Sequence, residues 1–304
     1  MTQVTEAGVQ RIEIDGDYHV YTRKVGHGPV KLLLLHGGPG CTHEYFECFE
    51  QWLSPSEYTF YYYDQLGSYY SDQPDDFSLW NVERFRGEVE QVRAALGLEH
   101  FYLFGQSWGG VLGIEYALEY PQHLRGLIIS NMTASIASYL EYLGELRERM
   151  PPQDVALMKR CEAAGDYANP EYQARLTALY NQHICRIVPW PEPVQRMFKH
   201  LANPVYNTMQ GDNEFVVTGN LKDWDRWADL HRLSVPTLLS VGRHDSMRPS
   251  DIEEMGRRIV ESRVSLCENG SHLSMWDDAE TYFSALKTFL RDVEDGSFSA
   301  RQPG

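Results

Sequence analysis

Cysteine is scarce and poorly spaced for a structural role. Five occur in 304 residues: Cys41, Cys48, Cys161, Cys185 and Cys267. Their number is odd, and neither a C-x-x-C pair nor a Cys/His metal spacing is present. The expected state is therefore reduced, mostly structural thiols in a cytoplasm. Long apolar runs are missing too, so no membrane span is expected. The opening stretch MTQVTEAGVQRIEIDGDYHV has no basic segment followed by an apolar one, which argues against a signal peptide. Positive charge is in deficit, with 27 Lys and Arg against 43 Asp and Glu and a formal charge of −16. That balance argues against nucleic acid and anionic membrane as partners. No H-E-x-x-H and no G-K-[ST] occur, so neither a metal nor a phosphate-bound cofactor is expected.

What is present reads as an ordinary globular chain, 42% hydrophobic and 23% charged, long enough for one large domain or a core with an insertion. Ile12 and Ile14, then Tyr18 and Val20, alternate around Asp15-Gly16-Asp17, which predicts an N-terminal hairpin. Lys31 to Leu35 and Thr59 to Tyr63 are continuous apolar runs, as in strands covered on both faces. Val82, Phe85, Val89, Val92 and Leu96 recur at spacings of three and four, predicting a helix with Asn81 as its N-cap and Gly97 as its stop. Further strands are expected at Phe101 to Phe104, Leu127 to Ile129, Val235 to Val241 and Arg263 to Cys267. Helices follow them at Val111 to Tyr120, Ser250 to Ile259 and Asp277 to Leu290. Strands alternating with helices predict an α/β fold with a mostly parallel central sheet and helices on both faces.

Between about Thr133 and Asn220 the pattern becomes helical and proline-broken, with no strand before Phe215-Val216-Val217. The expected organisation is a core of residues 1–132 and 221–304 with an inserted helical cap at 133–220. The cap aromatics Tyr139, Tyr142, Tyr172, Tyr180, Trp190, Phe198 and Tyr206 are expected mainly to pack against one another. The tail from Gly296 to Gly304 reads as disordered.

Chemistry concentrates at Gly105-Gln106-Ser107-Trp108-Gly109. A lone G-x-S-x-G occurs in ordinary tight turns, but here a strand precedes it and a helix follows. That is the setting of a nucleophile elbow, which exposes the serine oxygen. Asp245 follows a late strand and His272 lies just past the next, giving the order Ser, Asp, His of the α/β-hydrolase fold. In that arrangement His272 takes the proton of Ser107, and Asp245 fixes the imidazole tautomer. His244 adjoins the acid and would share its strand end, the wrong geometry for the base. Asp64 precedes the nucleophile and is given a structural or substrate-side role. The glycine-rich loop His36-Gly37-Gly38-Pro39-Gly40 sits where one oxyanion N–H belongs, from Gly38, with the N–H of Trp108 as the second donor.

These segments resemble the proline iminopeptidases, serine aminopeptidases of the α/β-hydrolase superfamily. The resemblance is carried by the loop at His36 to Gly40, by Tyr63-Asp64-Gln65-Leu66-Gly67-Ser68, and by Gly105 to Gly110. Asn213-Glu214-Phe215 with Thr218-Gly219, Trp224, and the Asp245 and His272 segments complete it across residues 30 to 275. It implies release of an N-terminal residue, often proline, from short peptides inside the cell, with Glu214 holding the free α-amino group. Many members carry a second glutamate directly after the aspartate, where this chain has Ser246. That departure leaves room for other first residues or for amino-acid amides, and makes Asp212 a candidate substitute. The expected partners are short peptides or amino-acid amides with a free N-terminus. Two rivals remain: an amidase or esterase on the same scaffold, and a non-catalytic small-molecule receptor.

Overall fold

The computed structural model describes residues 8–300. The very start of the stretch read for a leader (1–7) and the last tail residues (301–304) lie outside them. Among the described residues eight strands form one sheet: β1 (Val9–Ile14), β2 (Tyr18–Gly26), β3 (Val30–Leu35), β4 (Tyr58–Asp64), β5 (Phe101–Gln106), β6 (Leu124–Ser130), β7 (Thr237–Gly242) and β8 (Ser262–Cys267). Their order is β1-β2-β4-β3-β5-β6-β7-β8. The first two pairings, β1 with β2 and β2 with β4, are antiparallel, and every later pairing is parallel. The N-terminal hairpin thus extends a parallel α/β sheet at one edge.

The apolar runs bury both strand faces because side chains alternate along a strand. Leu33, Leu35, Leu103 and Ile129 enter one apolar layer, while Leu32, Leu34, Phe104 and Ile128 enter the other. The first layer is covered by α2 (Val82–Ala95), α3 (Trp108–Glu119) and α9 (Pro249–Arg258). The second lies under α1 (Phe49–Trp52), the short α10 (Ser274–Asp277) and α11 (Ala279–Glu294). Asn81 caps α2 as its sequence predicts, its side chain accepting the Arg84 N–H at 2.9 Å.

Five helices lie between β6 and β7: α4 (Ile136–Glu148), α5 (Pro152–Ala164), α6 (Pro170–His183), α7 (Glu192–Lys199) and α8 (Asn203–Met209). Their apolar faces are continuous with the two layers of the sheet, Tyr139 and Leu143 with the first and Val194 and Met197 with the second. Backbone bonds also stitch this segment to the loop after β8. His272 N–H donates to the His183 carbonyl and Leu273 N–H to that of Ile184, each at 2.9 Å.

Three sequence expectations need correction. Phe215-Val216-Val217 is not a strand; Asn213 and Val216 make only an isolated bridge. The Asn213 side chain accepts the Phe215 N–H at 2.9 Å and folds the segment into a turn before a ladder can form. The closing helix is broken at Asp278 into α10 and α11. The described part of the tail is packed, not disordered: Phe298 N–H reaches the Asp292 carbonyl at 2.7 Å, and its ring meets Phe289 edge-on at 5.5 Å.

Candidate active site

Ser107 joins β5 to α3 with φ 55° and ψ −124°, a conformation that non-glycine residues avoid. The bend is tight because its flanks lack side chains. A Cβ on Gly105 would sit 2.0 Å from the Gly109 carbonyl oxygen, and one on Gly109 would sit 2.1 Å from that of Leu35. Only glycine permits this approach, which aims the start of α3 at the serine.

Asp245 follows β7 and His272 follows β8, and the histidine lines one cavity with Ser107. His272 Nδ1 lies 2.8 Å from Asp245 Oδ1, which also accepts the Met247 N–H at 3.0 Å. Asp245 Oδ2 accepts the Asn131 side-chain N–H at 2.6 Å. Asp245 is fully buried and His272 nearly so. Burial alone would push the His272 pKa down, but the charge of Asp245, its hydrogen bond and the charge of Glu214 together raise it above the ordinary histidine value.

Ser107, His272, Gly38 and Glu214 line a single cavity of about 260 Å³, with Asp212 exposed at its edge. Trp108 lines a smaller recess shared with Gly38, Ser107 and Glu214. Among the described residues no hydrogen bond engages the N–H of Gly38 or of Trp108. Glu214 Oε1 is 3.9 Å from His272 Nε2. Its carboxylate is held by Tyr139 from α4 at 2.8 Å and by Tyr206 from α8 at 3.3 Å, while its N–H donates to Tyr180 from α6 at 3.2 Å.

A family model described as the alpha/beta hydrolase fold matches residues 31–279. The proline iminopeptidase of Elizabethkingia meningoseptica is 46% identical over 290 residues, spanning 93% of this chain and 97% of that protein. That of Flavobacterium johnsoniae is 44% identical over 285 residues, spanning 92% and 96%. Among solved structures, VinJ matches with a TM-score of 0.90 at 33% identity, over 94% of this chain and 99% of that one. The proline iminopeptidase of Mycobacterium smegmatis gives 0.88 at 30% identity, over 95% and 99%. The chain belongs to the proline iminopeptidase family of α/β hydrolases.

Several residues around this family site escape sequence reasoning. Gly37 N–H donates to the Tyr45 hydroxyl at 2.7 Å, which donates to Gln106 Oε1 at 2.9 Å. Gln106 Nε2 then reaches the His272 carbonyl at 3.1 Å. One chain of bonds thereby ties the glycine-rich loop, the elbow and the histidine loop together. Gln65 adds a second tie, accepting the Trp108 indole N–H at 2.7 Å and donating its own backbone N–H to His36 Nε2 at 3.1 Å. Asp64 takes the structural alternative: it is fully buried and accepts His43 through both backbone N–H at 2.7 Å and Nδ1 at 2.9 Å. His244 contributes through its backbone, its carbonyl lying 2.8 Å from His183 Nδ1 and its N–H donating to the Gly270 carbonyl at 2.9 Å. Ser246 is buried, with Oγ 3.4 Å from both Asp245 Oδ1 and His272 Nδ1. The cap aromatics divide: Tyr139, Tyr180 and Tyr206 hold Glu214, whereas Tyr172 does not line the cavity and is bound to Glu162 and to the lining residue Asn213.

Proposed function

We propose that this chain is a serine aminopeptidase of the proline iminopeptidase type, releasing an N-terminal residue, preferably proline, from short peptides through an acyl-enzyme on Ser107. The observation that carries the reading is the 3.9 Å separation of Glu214 from His272 Nε2. In any α-amino acyl group the amine nitrogen and the carbonyl carbon are about 2.5 Å apart, fixed by bond lengths and angle. An ammonium anchored on Glu214 therefore brings the first peptide bond, and no later one, beside the base. The small cavity favours the same register, since a pocket of this size suits one residue and its carbonyl.

In the proposed reaction the Ser107 oxygen attacks the carbonyl carbon as His272 Nε2 takes its proton. The N–H groups of Gly38 and Trp108 receive the oxyanion. The C–N bond breaks as His272 returns the proton to the leaving amine, and water then hydrolyses the ester, releasing the free amino acid. Asp245 stays ionised and holds the imidazolium. Residues 133–220 act as the cap that admits a chain end and excludes a folded chain. The partners are short peptides or amino-acid amides with a free N-terminus, and the free thiols suit a cytoplasmic setting.

The test compares a free-amine prolyl anilide with its N-acetylated form, with alanyl and leucyl anilides alongside. Turnover confined to free amines and greatest for proline supports the reading. Equal turnover of the acetylated compound overturns it in favour of an amidase or esterase. Ser107→Ala should lower kcat by about 10⁴-fold or more with the fold retained. Unchanged turnover in that variant would remove Ser107 from the mechanism.

A further inference from the structure

Glu214 has an unusual electrostatic position for an anchoring carboxylate. Its side chain is 16% exposed, and its hydroxyl partners, Tyr139 and Tyr206, are neutral groups whose buried phenols are pushed well above their usual pKa. Among the described residues the His272 ring is its one ion-pair partner. The groups facing His272 are Asp245 from the end of β7, Ser246 beside it, Glu214 from the segment after α8, and more remotely Asp277 of α10. None of these is a cation. The Cys41 thiol faces Glu214 from the glycine-rich loop and is kept protonated by burial.

From this geometry we infer that Glu214 couples substrate binding to the protonation of the base: an arriving α-ammonium neutralises Glu214 and thereby releases the proton from His272. In the empty site a protonated His272 is stabilised from two sides, by Asp245 on Nδ1 and by Glu214 near Nε2. Such an enzyme rests partly as the imidazolium, which cannot accept the serine proton. The positive charge of the substrate offsets the field of Glu214 at His272, and that disfavours the imidazolium. The substrate's own charge thus converts His272 into the neutral base, and an uncharged or acylated N-terminus leaves it protonated. This inference rests on the aminopeptidase reading and adds to it a role for Glu214 beyond holding the amine.

The pH profile of kcat/KM reports groups of the free enzyme, and that of kcat reports those of the complex. With a free-amine prolyl anilide the acid limb of kcat should therefore lie about one pH unit or more below that of kcat/KM. Glu214→Gln should lower the kcat/KM limb and close the gap. A direct reading uses the Ser107→Ala protein and the imidazole NMR signal of His272, assigned by its loss in His272→Gln. Saturating prolinamide should lower the His272 titration midpoint, whereas the uncharged cyclopentanecarboxamide should leave it unmoved. Coincident limbs, or prolinamide binding without a change in the His272 midpoint, would overturn the coupling while leaving the aminopeptidase intact. Failure of the aminopeptidase reading is distinguishable, because acetylated and free-amine anilides would then turn over alike.

Discussion

Asn131 holds Asp245, the proposed acid, and no motif announces it. It follows β6 with φ 54°, and its side-chain N–H groups reach Asp245 Oδ2 at 2.6 Å, the Ser271 carbonyl at 3.1 Å and Ser274 Oγ at 3.2 Å. A donor on Oδ2 leaves Oδ1 free to face His272. Asn131→Gly keeps the left-handed backbone conformation accessible, so its effect isolates the lost hydrogen bond. A hydrogen bond to a charged group is worth about 1.5–3 kcal/mol, so kcat should fall by roughly 10- to 100-fold with KM little changed. Steady-state kinetics on the prolyl anilide check this. The proposed triad of Ser107, Asp245 and His272 can be picked out in sequence because the elbow motif marks the serine and the other two each follow a strand in the chain order of the fold. Asn131, Tyr45 and Gln106 cannot, because their partners lie far along the chain and meet only when strands and loops converge.

At the scale of elements, α7 rests on the turn His43–Phe46 through one buried carboxylate. Glu44 is fully buried and accepts Thr42 Oγ1 at 2.6 Å, the Tyr70 hydroxyl at 2.8 Å and His200 Nδ1 at 3.0 Å, with Arg196 at 3.3 Å. Arg196 also grips Glu47 at 2.8 Å. Removing Glu44 leaves Arg196 paired with Glu47 and Glu192 but takes the acceptor from the Thr42, Tyr70 and His200 donors, and a buried donor left unsatisfied costs about 1–3 kcal/mol. Glu44→Ala should lower the Tm and speed proteolysis between residues 186 and 202, whereas Glu192→Ala, at the exposed end of the same helix, should do neither. The sequence shows the helices of this segment through their prolines and apolar spacing. It does not show how they dock, because the docking groups are charged residues that read as solvated surface. The same limit explains the mistaken strand at Phe215 to Val217, whose apolar pattern is overruled by the turn that Asn213 makes.

At the scale of the molecule, all five cysteines are free and buried. Burial pushes the Cys185 and Cys267 thiols up to about 12 and raises Cys41 and Cys48 as well. Thiolate is the reactive form, so a colourimetric disulfide reagent at neutral pH should label the native protein slowly and titrate five thiols once it is unfolded. Fast labelling of one or more thiols in the native protein would contradict this packing. Phe298 gives a second whole-chain check. Truncation after Asp295 removes a ring that covers Phe289 and stacks on Arg263, whose guanidinium lies 5.0 Å away. The truncated protein should be less stable by about 1–2 kcal/mol in urea. Fold class and most strand positions along the chain were readable because apolar runs mark the strands of the sheet. The packed tail was not, since a single aromatic among polar residues leaves no periodic trace.

The two backbone bonds from His272 and Leu273 to the carbonyls of His183 and Ile184 bear on how this scaffold can be rebuilt. Helices grafted from a relative between β6 and β7 would replace the acceptors that hold the histidine loop in register. Chimeras that exchange residues 133–182 and retain 183–186 keep those acceptors, whereas a cut that also replaces the 183–186 segment severs the seam. Recombination breakpoints in this protein are thus set by main-chain geometry more than by the boundary between the inserted helices and the open sheet.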